Sequence, residues 1–127
     1  MYNYFMLIGT ICKEVEIKEV ADGKRVVQLV LAVQRSFANM DGEYDTDFFN
    51  ISVWEFLAEY ANEKLKVGSK IGVKGRLVPK LVKLESGAKV YKNDLIGERI
   101  IYFSSPNKEV SIPENEIAEE PKETKED

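Results

Sequence analysis

Apolar and polar positions alternate through most of the first hundred residues, and the places where alternation fails mark the turns. Tyr2 to Thr10 is an apolar, strand-like run interrupted by Gly9. A glycine inside a strand marks a bulge or a sharp bend. Glu14 to Val20 alternates, with Val15 and Ile17 set against Glu14, Glu16 and Lys18, as a half-buried strand does. The two runs read as one long first strand bent between Gly9 and Lys13, able to serve two sheets of a small barrel. Asp22-Gly23 signals a hairpin. Arg25 to Arg35 is the second strand, densely apolar from Val26 to Val33, and Asp41-Gly42 marks the next turn.

Thr46 to Trp54 is the third strand, with Phe48, Phe49 and Trp54 among β-branched residues. The period then changes. From Glu55 to Lys66, Phe56, Leu57, Tyr60, Ala61 and Leu65 recur on one face of a helix, which predicts a plug for the barrel. Gly68 can take a left-handed turn beyond the helix end. Ser69 to Leu77 is the fourth strand, continued past Pro79 to Leu84. Glu85 to Ala88 is a hairpin loop, and Lys89 to Phe103 is the last strand, with a bulge at Gly97. Five strands with a single helix between the third and fourth have the layout of an all-β OB-fold, a Greek-key barrel. From Ser104 onward apolar density falls, and Pro106, Pro113 and Pro121 punctuate a stretch rich in Glu and Lys. This predicts one domain, residues 1–105, followed by a disordered acidic tail, 106–127.

Composition narrows the chemistry. A chain of 127 residues is long enough for one self-sufficient core. Its single cysteine, Cys12, excludes an intrachain disulfide and fits a reducing compartment. The absence of histidine removes Ser-His-Asp and Cys-His nucleophile pairs and nearly every zinc site. With no P-loop and no GxGxxG either, the expectation is a non-enzyme without cofactor or metal. The N-terminal run lacks a basic leader, and no run approaches the ~18 apolar residues of a membrane span, so a cytoplasmic protein is expected. The net charge of −4 conceals two regions. Residues 1–105 carry 15 Lys and Arg against 14 Asp and Glu, while 106–127 carry three lysines and eight acids.

Four stretches, in this order and spacing, resemble the bacterial-type single-stranded DNA-binding proteins: MYNYFMLIGTICKE, GKRVVQLVLAVQRSF, DGEYDTDFFNISVWEFLAE and LKVGSKIGVKGRL. The resemblance covers residues 1 to about 103. It implies an OB-fold, a homotetramer, and sequence-tolerant binding of single-stranded DNA in replication, recombination and repair at the nucleoid. It also implies base-stacking aromatics at the end of the second strand and at both ends of the third, where this chain has Phe37, Phe48 and Trp54. A fourth family aromatic, on the long hairpin, corresponds to Val82, with Tyr91 nearby. Tyr4 stands where many relatives carry a basic residue. The family's acidic tail is tipped by Pro-Phe and docks replication and repair proteins. This sequence runs to Glu123-Thr124-Lys125-Glu126-Asp127, so that docking role is not carried over.

Single-strand binding combines such stacking platforms with a cationic track. The cations placed for it are Arg35, Lys74, Arg76, Lys80, Lys83, Lys89 and Lys92. Phe48 and Phe49 are adjacent on a strand and point to opposite faces; Phe48 is assigned to DNA and Phe49 to the core. Trp54 has a plainer reading as a core tryptophan at the start of the helix. Tyr60, Tyr102 and Phe103 are read as packing residues, Cys12 as a small buried hydrophobe, and Asp45 and Asp47 as a solvated strand start. Two other functions fit an OB-domain: RNA binding, and protein interaction without nucleic acid. The acidic tail is expected to compete with DNA for the basic groove.

Overall fold

The computed structural model describes residues 1–106. Its elements are β1 (Phe5–Ile11), β2 (Ile17–Glu19), β3 (Arg25–Gln34), β4 (Thr46–Trp54), α1 (Phe56–Lys64), β5 (Lys70–Lys83) and β6 (Lys89–Ser104). The strand order is β1-β5-β6-β4-β3-β2, and a further β1–β3 pairing closes the sheet on itself. β3 and β4 pair along their length, from Val26 opposite Trp54 to Gln34 opposite Thr46. Closure between β4 and β6 is parallel and short, through Ile51–Leu95 and Ser52–Ile96. Counting β2 as the far end of the first strand, this is the OB-fold barrel with its helix between the third and fourth strands.

The first strand does not run on through a bend near Gly9. It breaks over residues 12–16, and both pieces pair with β3, Thr10 opposite Ala32 and Ile17 opposite Val27. Gly9 has a different task. A Cβ there would lie 2.3 Å from the Ala32 carbonyl oxygen, so only glycine lets β1 come this close to β3. Gly75 does the same where β5 meets β6: its Cβ would lie 1.9 Å from the Ile96 carbonyl oxygen. The register shifts at that point, with Lys74 opposite Arg99 and Gly75 opposite Gly97, so the extra residue on β6 is Glu98.

Alternation fills the barrel. Val27, Leu29 and Leu31 of β3, Ile51 and Val53 of β4, and Ile71 and Val73 of β5 are wholly buried around Ile11. Each such side chain contributes about 1.5–3 kcal/mol on burial. Ala58, Ala61 and Leu65 close one end, with Leu57 and Tyr60 packed beside them. Cys12 is buried, as its size predicts.

Phe56 departs from the expected helical stripe. It is 86% exposed, and Ala58 takes the place in the core. At about 100° per residue, Phe56 lies some 200° around the helix from Ala58, on the opposite side. Tyr102 and Phe103 also lie open on this chain rather than packed.

Past Gly75, β5 has no β1 partner, and β5 and β6 continue as a two-stranded hairpin to Lys83 and Lys89. Asn3 secures the junction. Its side-chain amide donates to the Leu77 carbonyl at 2.7 Å and its oxygen accepts the Leu77 N–H at 2.9 Å, in imitation of one more peptide in the ladder. Pro79 lies beyond this point, on an open edge where a missing N–H costs nothing. The acidic stretch after Pro106 lies outside the described residues.

Candidate nucleic-acid interface

The alternation that buries Phe49, Ile51 and Val53 turns Phe48, Asn50, Ser52 and Trp54 outward on β4. Phe49 packs against the core, as assigned. Cross-strand register sets Phe48 beside Ala32 and Trp54 beside Val26. Trp54 is 37% exposed, so it is an outward ring and not a core tryptophan. Between the two rings the surface is polar: the Gln28 amide donates to the Ser52 hydroxyl at 2.7 Å, and Asn50 is exposed.

The same face continues across β6 and β5. Ile96 is registered with Ser52 on one side and Arg76 on the other, and Lys80 stands opposite Lys92. Phe48, Trp54, Arg76, Lys80 and Lys92 therefore share one outward surface. Val82 lies on this side of the hairpin, opposite Val90. Lys83 and Lys89 oppose each other on the other side, in line with Leu81 and Tyr91, and Tyr91 is 78% exposed there. Lys74 also points outward, but next to β1, with its ammonium 5.6 Å from the centre of the Tyr4 ring. Phe37 projects from the β3–β4 loop and is 66% exposed.

That loop is cinched at its base. Arg35 donates from Nε and Nη2 to the two carboxylate oxygens of Asp47 at 3.0 and 2.9 Å, and its Nη1 lies 3.6 Å from Asp45. The Arg35 backbone N–H donates to the Asp45 carbonyl at 2.8 Å. Asn39 folds the tip: its oxygen accepts the N–H groups of Asp41 and Glu43, and its amide donates to Asp45. The hydrogen bond from Arg35, reinforced by its charge, holds the Asp47 carboxyl below the usual carboxylate range. The same hydrogen bond and carboxylate charge raise Arg35. Asp45 and Asp47 stand at a solvated strand start, as read, and there they also pair with Arg35.

Arg76 is engaged as well, its Nε donating to Glu98 at 3.1 Å. Lys80 and Lys92, by contrast, make no ion pair among the described residues. Arg35 and Arg76 are thus held by carboxylates, and the hairpin lysines are the open charges. Exposed pairs of this kind contribute only about 0–1 kcal/mol, so a phosphate can replace the carboxylate at little cost. Sequence reasoning passed over Tyr44, exposed where the loop returns to β4.

A profile of the single-strand binding protein family matches residues 2–103. The chain belongs to that family. The single-stranded DNA-binding protein of Bacillus cereus is 34% identical over 107 residues, which are 84% of this chain and 63% of the relative. The single-stranded DNA-binding protein 1 of Staphylococcus aureus is 35% identical over 84% of this chain and 69% of its own length. The single-stranded DNA-binding protein B of Bacillus subtilis is 30% identical over 86% of this chain and 96% of its own. The fold matches a crystal structure of a deletion variant of the single-stranded DNA-binding protein from Thermus aquaticus, with a TM-score of 0.66 at 23% identity. That match covers 82% of this chain and 51% of the other.

Proposed function

We propose that this chain binds single-stranded DNA with little sequence preference, as a binding protein and not an enzyme. The observation that carries the reading is the shared outward face of β3, β4, β6 and β5, where rings and cations lie together. Bases stack on Phe37, Phe48 and Trp54, each platform contributing ~1–3 kcal/mol per base. Lys80 and Lys92 meet phosphates directly, Arg76 and Arg35 after exchanging carboxylate for phosphate, and Lys74 at the β1 side. Lys83 and Lys89 meet the strand where it passes around the hairpin. Residues 1–105 act as the binding domain and 106–127 as an acidic appendage that competes for the same cations.

The working form is a homotetramer. Its support is a second outward surface, on β1, β5 and β6, where Met6, Ile8 and Phe103 are exposed together around Gly72. The setting is the bacterial cytoplasm, at DNA exposed during replication, recombination and repair. No helix among the described residues is long and apolar enough to cross a membrane.

Titration with oligo(dT) of increasing length tests this reading. Trp54 fluorescence is expected to be quenched, with affinity falling by a log–log slope of about −0.7 per neutralised phosphate. A chain that neither quenches nor retards the oligomer at low salt overturns it. A matched RNA oligomer that competes as well as DNA turns the reading toward RNA.

A further inference from the structure

The ring that left the expected helical stripe stands beside the proposed binding face. Phe56 and Trp54 line one groove with Glu55, Leu57, Arg76, Ile96, Gly97 and Glu98. Neither ring is stacked on the other, so the groove is open between them. An exposed phenylalanine has no packing reason to be at the start of this helix, where any good helix former would serve.

The backbone explains how it comes to point outward. Glu55 is the only non-glycine residue with positive φ among the described residues, at φ 52° and ψ −121°. L-residues avoid this region, and such a residue persists only where its surroundings over-determine it. Here they do. The Glu55 N–H donates to the Arg25 carbonyl at 2.9 Å, the Arg25 N–H donates to Glu55 Oε1 at 2.8 Å, and the Arg25 guanidinium reaches both Glu55 and Glu59. β4 therefore ends in a fixed reversal that leaves Trp54 on the outer sheet face and Phe56 exposed, both lining the same groove.

We propose that Phe56 is a further base-stacking residue, which extends the platform of Phe48 and Trp54 onto the start of α1, with Arg76 in the groove lining for the adjoining phosphate. This rests on the single-stranded DNA reading given above. The occupant is a nucleobase because the groove is continuous with the Trp54 platform and is lined by both rings together with Arg76, whose Nε a phosphate would take over from Glu98. Glu55 is the positioning residue that holds the two rings apart.

The test compares wild type, Phe56→Ala, Phe56→Leu, Phe56→Tyr and Phe48→Ala in one oligo(dT) titration by fluorescence anisotropy. Phe56→Ala is expected to weaken binding roughly 5- to 150-fold, with an unchanged salt slope because no phosphate contact is lost. Phe56→Leu loses affinity likewise, since it keeps the apolar bulk without the π face, and Phe56→Tyr keeps it. Because the residue is exposed, the melting temperature is expected to stay within a few degrees of wild type. Binding by Phe56→Ala and Phe56→Leu within twofold of wild type, while Phe48→Ala fails, overturns the role of Phe56 alone. Failure of the wild type to bind overturns the parent reading with it. A change of sedimenting mass in Phe56→Ala makes the ring a subunit contact and also overturns the proposal.

Discussion

The barrel presents two outward faces built on the same strand, and they differ in what lies between their large side chains. On the β4 side, Phe48 and Trp54 are separated by Asn50, Ser52 and Gln28 and bordered by lysines and arginines. On the β1 side, Met6, Ile8 and Phe103 meet over Gly72 with little polar surface between them. β5 serves both, giving Arg76 and Lys80 to the first and Gly72 to the second. A face of rings set among hydrogen-bonding groups suits a solvated, charged chain that must come and go. A contiguous apolar face suits a permanent neighbour of the same kind, because large exposed apolar patches mark association surfaces.

Substitutions can break this comparison. The largest effect is expected from Ile8→Glu, which would bury an unpaired carboxylate in any subunit contact. Sedimentation should then report monomers, with oligo(dT) binding per barrel retained; an unchanged mass removes this face from the assembly. Next comes the pair of adjacent phenylalanines. Phe49→Ala should cost about 3 kcal/mol of stability in denaturant unfolding. Phe48→Ala should leave unfolding nearly unchanged and cost ~1–3 kcal/mol of DNA affinity. The reverse pattern would mean the two sides of β4 had been exchanged.

Smaller effects sharpen the electrostatics. Lys80→Ala and Lys92→Ala should each flatten the salt slope by about 0.7. Asp47→Asn should free Arg35 and raise affinity a few-fold at low salt, read by the same titration. The pairing also has a pH signature. Because Arg35 lowers the folded-state pKa of Asp47, its stabilising contribution is present above the unfolded value near 3.9 and is lost as pH falls through the lower folded value. NMR titration of the Asp47 carboxyl should find its midpoint below the value of about 3.9 for an unperturbed aspartate.

Much of this was legible in the sequence. Period-two alternation through β3 and β4 identified the core, and adjacency alone forced Phe48 and Phe49 apart. Parity along β5 also separates Lys74, Arg76 and Lys80 from Lys83, a signal present in the spacing but hidden when the lysines are treated as one cluster. Other features depend on information that no local pattern carries. The Arg35–Asp47 bond follows from cross-strand register, which aligns Val33 with Asp47. Phe56 read as core because a helix beginning at Glu55 would include it in the apolar stripe. The positive φ at Glu55 is held by Arg25, 30 residues earlier, and nothing about a glutamate announces a left-handed turn.

The projecting β5–β6 hairpin carries a hazard that its residues also resolve. Two strands extending beyond a barrel offer unpaired edges to any chain that could add a strand. On the β5 edge, Pro79 withholds a donor and Lys80 and Lys83 place charge beside it; on the β6 edge, Lys89, Lys92 and Asp94 do the same. Edges of this kind resist sheet-to-sheet aggregation. The lysines proposed to meet DNA would thus also keep crowded copies soluble, and replacing several together with valine or threonine would cost solubility before it cost the fold.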